Sequence, residues 1–226
     1  MTYLIGLEQT VEGRWIAWVL GHPGCFAYGD DRHEAFTAAE GAIQSYRRWI
    51  GAHTGQNWLP TGKIEMRLDE YCINEQLEDG YEINAWFRHD WKPLTEEDIA
   101  RGLLLLEWSR EELLAAVKGL SAEAMEAEHP GERWPIAGIL RHVGGAEWWY
   151  LDRLGLASPR EQVPSDPFER LKVVRARLIE VLPTLAESRQ VVGVDHEFWS
   201  PRKMLRRAVW HERDHAQHIA RLAGKG

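Results

Sequence analysis

The stretch that most restricts this chain lies between Met204 and Leu222, where Met204, Ala208, His211, His215, His218 and Leu222 follow a 4-3-4-3-4 spacing. That rhythm is the buried stripe of an amphipathic helix packed among other helices. Histidines occupy it where aliphatic residues are expected. Side chains four residues apart on a helix are roughly 5–6 Å apart at Cβ, so the imidazoles of His211 and His215 can reach one metal ion. A lone histidine on such a face is most often a hydrogen-bonded core residue. Two at ligand spacing shift the reading toward metal.

The letters His211-Glu212-Arg213-Asp214-His215 also satisfy H-E-x-x-H, the motif in which zinc proteases use the glutamate as general base. The extended form of that motif needs a histidine at position 221, which is Arg221. Too few residues follow His215 for a further helix, so a third ligand is expected upstream.

Composition narrows the function classes. A length of 226 residues suits two domains, each able to bury a core. A net charge of −8 gives no global attraction to nucleic acid or to anionic lipid. Cys25 and Cys72 are too few for a disulfide framework or a thiolate metal cage, which fits a reducing compartment. The N-terminal stretch lacks the basic start and apolar centre of a secretion signal. No apolar run approaches the ~18 residues of a membrane helix. A cytoplasmic protein with no nucleic-acid or membrane partner is expected.

The first part of the chain reads as α+β. Tyr3–Gln9 and Arg14–Leu20 are β-rich runs joined by Thr10-Val11-Glu12-Gly13, a hairpin turn, and Cys25–Tyr28 is a short third strand after His22-Pro23-Gly24. Asp31-Arg32-His33-Glu34 is a capping box that opens a helix to about Ile50, with Ala35, Ala39, Ala42, Ile43, Tyr46 and Ile50 on its apolar face. Ile64, Met66 and Leu68, and then Tyr81, Ile83, Ala85 and Phe87, alternate with polar residues as two further half-buried strands.

Gly13-Arg14-Trp15-Ile16-Ala17, Pro23-Gly24-Cys25, Gly29-Asp30-Asp31 and Glu34-Ala35 resemble the HicB-type antitoxin fold, over roughly residues 1–50. The resemblance implies a β-β-β-α-β unit with an antiparallel sheet and one helix, used for protein–protein pairing and sometimes followed by a DNA-binding tail. No such tail is apparent here, so a structural or dimerising module is the expectation, and antitoxin activity is not carried over.

Pro93 interrupts the pattern and Thr95-Glu96-Glu97-Asp98 caps a new helix, which sets the expected boundary between domains at 1–92 and 93–226. Four amphipathic helices follow. The first runs to about Leu120 through Ile99, Leu103, Leu106, Leu113 and Val117, and the second from about Trp134-Pro135 to Leu154 through Ile139, His142, Ala146 and Trp149. The third is opened by Asp166-Pro167-Phe168-Glu169 and ends near Pro183, and the fourth starts at Ser200-Pro201. Four such helices read as a four-helix bundle.

His142 falls on the inward stripe of the second helix, so three inward histidines can meet in one bundle. This arrangement resembles the DinB/YfiT-like family of metal-binding four-helix bundles over roughly residues 95–226. The likeness rests on Trp134, on Ile139-Leu140-Arg141-His142-Val143-Gly144-Gly145-Ala146-Glu147-Trp148-Trp149, and on His211-Glu212-Arg213-Asp214-His215. Carried over position by position, it implies His142, His211 and His215 as metal ligands, with Gln217-His218 where the family commonly has Gly-Gln. Three neutral imidazoles suit zinc or nickel and leave positions open for water or substrate. The resemblance implies a small-molecule substrate, thiol-dependent S-transferase or isomerase chemistry with a low-molecular-weight thiol, and a homodimer. A metal-dependent hydrolase and a non-enzymatic metal-binding or interaction protein are the alternatives.

Several residues keep two readings. Glu212 is either a general base or an outer partner that orients an imidazole. His218 is the fallback ligand. Gly144-Gly145 in mid-helix signals either close packing or room beside the metal. Trp148, Trp149, Trp199 and Trp210 line a pocket or fill a core. Arg202, Lys203, Arg206, Arg207 and Arg213 form a solvated face or attract an anionic cosubstrate.

Overall fold

The computed structural model describes residues 2–55, 58–59 and 61–225. The chain divides into two compact units, Met1–Lys92 with Gly193–Phe198, and Pro93–Val192 with Trp199–Gly226. The short segment Gly193–Phe198 lies far along the sequence yet groups with the first unit. Within that unit Glu197 accepts hydrogen bonds from the Tyr81 hydroxyl (2.5 Å) and the Asn84 backbone N–H (3.2 Å).

In the first unit, β1 (Thr2–Gln9), β2 (Trp15–Val19), β3 (Phe26–Gly29) and β4 (Glu65–Ile73) form one sheet in the order β3-β2-β1-β4. Every residue of β2 is buried, so it is the centre of this core. The helix α1 (Arg32–Thr54) packs across the sheet through Ala35, Ala39, Ile43, Tyr46, Trp49 and Ile50, and Asp31 caps it by accepting from the Glu34 N–H. The expected antiparallel sheet is corrected to a mixed one. β1 pairs antiparallel with β2 but parallel with β4, because α1 carries the chain across the sheet and β4 enters in the direction of β1. The pairing shifts register between Ile5 and Gly6, and Leu68 on β4 is exposed rather than half-buried. The expected strand from Tyr81 to Phe87 is also corrected. Only Glu82–Ile83 (β6) is extended and paired, with Glu75–Gln76 (β5), while Ala85 and Phe87 are buried in irregular chain. Phe87 explains that burial: a Cβ on Gly6 would stand 2.9 Å from its ring, so the ring lies directly on the strand backbone.

Among the described residues the second unit holds four long helices and a short one. They are α2 (Glu96–Val117), α3 (Ala122–Glu126), α4 (Ile136–Asp152), α5 (Pro167–Val181) and α6 (Pro201–Leu222). Their starts follow the capping chemistry of the sequence. Thr95 accepts from the Asp98 N–H, Asp166 from Phe168 and Glu169, and Ser200 from Lys203. α2 lies along α6, and α4 packs against both α5 and α6. Gly102 permits the first of these approaches, since a Cβ there would meet Leu205 at 2.8 Å. Leu113, Ile139, Leu140, Val143, Leu171, Ala216 and Ile219 fill the space between the helices. The segment Gly193–Phe198 that groups with the first unit makes up most of a small hairpin, β7 (Val192–Val194) with β8 (Glu197–Trp199), which the sequence reading did not include. No described helix is long and apolar enough to cross a membrane.

Candidate metal centre

α4 brings His142 to the edge of the apolar core, between Ile139 and Val143, and α6 brings His211 and His215. The three rings converge through their Nε2 atoms. His211 Nε2 stands 3.0 Å from His142 Nε2 and 3.2 Å from His215 Nε2, and one ligand atom from each of the three lies within 4.8 Å of the others. An ion bonded to each nitrogen at about 2.0–2.1 Å, with octahedral to tetrahedral angles, sets N···N separations of about 2.9–3.4 Å. The two separations from His211 fall within that range.

Electrostatics keep these rings in the ligand form. Burial draws the His142 imidazole below its ordinary pKa, with help from the Arg133 charge. Burial takes His211 well below, assisted by His215, His142 and Arg207. Burial also brings His215 down to about 3, with His142 and His218 adding to the shift. A protonated imidazole cannot coordinate, so rings that refuse protons at neutral pH are poised to do so. The His215 Nδ1 is buried with no hydrogen-bond partner among the described residues. Packing rather than an outer hydrogen bond therefore orients that ring.

His218 stands apart from the cluster. Its Nε2 lies 3.0 Å from a Glu132 carboxylate oxygen. Glu212, one residue beyond His211, faces away into a buried ion network. Its Oε1 accepts from Arg110 Nε (2.5 Å), and its Oε2 accepts from Arg175 Nη2 and Ser109 Oγ, each at 2.6 Å. Arg175 also grips Glu147 with two bonds, Nε to Oε1 at 2.7 Å and Nη2 to Oε2 at 2.9 Å, and Arg110 Nη2 reaches the same Glu147 Oε2 at 3.0 Å. The remaining guanidinium nitrogens donate to backbone carbonyls, Arg110 to Leu171 and Arg175 to Leu106. Two carboxylates and two guanidiniums thus cancel, each with hydrogen-bond partners. Burial alone would raise the Glu212 carboxyl, but Arg175 and Arg110 outweigh it and hold it below the usual range. Both oxygens of this carboxylate are thus engaged by Arg110, Arg175 and Ser109.

A cavity of about 460 Å³ opens beside the histidines. His142 and His211 form one part of its wall, Gly145 and Ala146 another, and Trp149, Tyr150, Trp210 and Arg207 the rest. The four tryptophans of the sequence reading therefore separate. Trp149 and Trp210 face the cavity. Trp199 is fully buried, stacked on Tyr150 with centroids 5.6 Å apart, and Trp148 donates to the Ser158 carbonyl at 2.9 Å. The two glycines separate as well. A Cβ on Gly144 would meet Arg170 Cγ at 2.9 Å, a packing contact, whereas Gly145 lines the cavity with only Arg170 Nη1 at 3.8 Å. The solvated basic face expected of α6 is corrected: Lys203, Arg206, Arg207 and Arg213 are all buried.

Sequence reasoning missed Tyr150 and the partners Ser109, Arg110 and Arg175, and quoted Glu147 only as part of the stretch Ile139–Trp149 with no role assigned. It named Trp134 only as a marker, although its ring lies 4.9 Å from His142 at an interplanar angle of 31°. No helical stripe couples Arg110, Glu147 and Arg175, which come from three different helices. Arg207, by contrast, had a readable signal, standing four residues before His211.

Helices that lend three uncharged imidazoles to one point beside a cavity define a histidine-centred site of the kind that can hold a metal. The chain belongs to the DinB superfamily, whose family model matches residues 105–219, just over half its length. The match begins in α2, ends in α6 and includes all three histidines. No curated protein and no solved structure matches the chain.

Proposed function

We propose that the helical unit is a DinB-type four-helix bundle that holds one divalent ion, zinc or nickel, through His142, His211 and His215. We propose further that it joins a small electrophile to a low-molecular-weight thiol. The observation that carries the reading is the convergence of three neutral Nε2 atoms beside a cavity in whose lining, among the described residues, no carboxylate stands. A bound ion supplies Lewis-acid chemistry, lowering the pKa of a thiol or of water. The chain's own residues do the rest. Trp149, Tyr150 and Trp210 provide a largely apolar wall that excludes water and positions an organic body. Glu212 and Glu147 are occupied by arginines, so neither supplies the base that protease-like hydrolysis draws from its motif glutamate. That favours a thiol, whose proton leaves more readily than that of water, over the hydrolase reading.

A thiol panel with a generic aromatic electrophile, with and without added zinc or nickel, tests the proposal. Turnover that needs both metal and thiol is expected. Metal-dependent turnover in water alone would replace it with the hydrolase, and a stoichiometric ion that raises Tm without any turnover would replace it with a non-enzymatic metal protein.

For the first unit we propose a HicB-like pairing role within a homodimer. Its β-β-β-α-β order supports this, as do Tyr71 and Ile73, which are exposed on the edge strand β4. A single 26.1 kDa species in light scattering at micromolar concentration would remove the dimer.

A further inference from the structure

His142, Gly145, Ala146 and Trp149 share one face of α4, because each later residue stands three, four or seven positions beyond the histidine, and all four line the cavity. Between the imidazole and the indole this face carries only a hydrogen atom and a methyl group. At about 1.5 Å of rise per residue the bare step runs about 10 Å along the helix. Glycine in a helix interior weakens the helix relative to alanine, so a glycine kept there calls for a reason. Packing supplies one for Gly144, where a Cβ would meet Arg170 Cγ at 2.9 Å. It supplies none for Gly145. A Cβ there would have only Arg170 Nη1 near it, at an ordinary contact distance of 3.8 Å, and the residue sits in regular α-helix open to any side chain. A side chain at 145 would therefore take its space from the cavity.

The cavity is large enough to use that step. Its volume of about 460 Å³ falls within the ~300–1,000 Å³ of small-ligand sites, whereas ~150 Å³ is enough to hold benzene. Trp149, Tyr150 and Trp210 contribute aromatic surface, which favours a flat partner, and the absence of a Cβ at Gly145 lets such a partner lie on the helix backbone. One end of the step is His142, whose Nε2 belongs to the convergent set.

We infer that Gly145 is a specificity-determining residue: the bare step of α4 seats a flat aromatic body broader than a single ring, extending from His142 toward Trp149. A longer side chain at 145 leaves space for one ring and excludes two fused ones. This deepens the proposed function and rests on it for the reaction, but the seating itself requires no ion.

The test uses 2-naphthol and phenol, which carry the same hydroxyl on two rings and on one, titrated calorimetrically into the full chain stripped with chelator. Naphthol should bind the unaltered protein at least tenfold more tightly than phenol. Gly145→Leu should weaken naphthol tenfold or more while leaving phenol within threefold, and Gly145→Ala should fall between. Should Gly145→Leu fail to fold, Gly145→Ala decides: it should weaken naphthol at least threefold with a Tm no lower than that of the unaltered protein. Naphthol affinity that is the same in all three proteins overturns the inference, as does a parallel loss of naphthol and phenol, or no binding of naphthol at all. Zinc uptake, measured separately by elemental analysis, keeps the two readings apart. A protein that discriminates as expected but takes up no zinc would sink the metal reading and leave this one standing, and a protein that takes up zinc but is indifferent to residue 145 would do the reverse.

Discussion

His211 and Glu212 are neighbours on α6, and the two polar clusters they enter are opposites. The histidine side gathers three uncharged rings beside a cavity, with one ring nitrogen, His215 Nδ1, left without a hydrogen bond. The glutamate side gathers four charges in a closed network with Arg110, Glu147 and Arg175. Both are polar groups in a helical core, where unmet hydrogen-bonding capacity costs free energy. The network meets that demand internally and has nothing left to offer a ligand. The histidine cluster instead turns three uncharged Nε2 atoms toward one another, and their lone pairs are what a metal ion would use. The comparison teaches that burial and charge alone do not mark a functional site; what separates the two clusters is whether the polar atoms are spent on one another as ion pairs or gathered as uncharged ligand atoms.

The sharpest way to break the comparison is Glu212→Ala. Removal leaves Arg175 buried with half its counter-charge, and the loss should reach about 3–5 kcal/mol in urea unfolding, with metal per folded molecule unchanged. Lost metal at unchanged stability would make Glu212 a ligand. His211→Ala should do the reverse. Ion affinity, followed by elemental analysis of protein purified without a histidine tag, should fall tenfold or more, from close to one ion per chain. Metal-free stability should change by no more than about 1–2 kcal/mol. His142→Ala and His215→Ala should match it, while His218→Ala keeps the ion. Full occupancy in His142→Ala with loss in His218→Ala would place all the ligands on α6.

Acidification sharpens the contrast further. The folded pKa values of the three imidazoles are depressed, His215 to about 3 against an ordinary 6.5. Between those values the unfolded chain binds protons that the folded chain refuses. Stability of the metal-free protein is therefore fully present above about pH 6.5 and declines as pH falls toward 3. His211→Ala should flatten the decline in thermal melts from pH 7 to pH 4, and an unchanged slope would assign it to carboxylates elsewhere.

The smallest effects separate the two glycines. Gly145→Ala should stabilise by about 0.5–1 kcal/mol through the unfolded chain and helix propensity, while narrowing the cavity. Gly144→Ala should instead cost about 1 kcal/mol or more, because Arg170 is held by the Pro164 and Arg141 carbonyls and cannot easily yield. Equal Tm shifts in the two variants would erase the distinction.

Much of the fold was legible. Helix starts followed from Thr95, Asp166-Pro167 and Ser200-Pro201, because caps and first-turn prolines act within a few residues of chain. The strand expected over Tyr81–Phe87 was not extended throughout, because alternation reports which side is buried and not whether a neighbouring strand is there to pair. The parallel entry of β4 escaped for a related reason: direction depends on where α1 delivers the chain.

By itself, then, the sequence determined where helices begin, which of their faces turn inward, and that His142, His211 and His215 lie on such faces. These follow from local sterics, capping and a 3.6-residue repeat, all properties of neighbouring residues. Only the tertiary structure decided that the three Nε2 atoms meet, that Glu212 turns from them toward Arg110 and Arg175, that Gly144 packs while Gly145 opens space, and that the arginines of α6 are buried. Each of these depends on how helices distant in sequence are set against one another. Periodicity fixes the facing of a side chain, but its partner is chosen by packing in three dimensions.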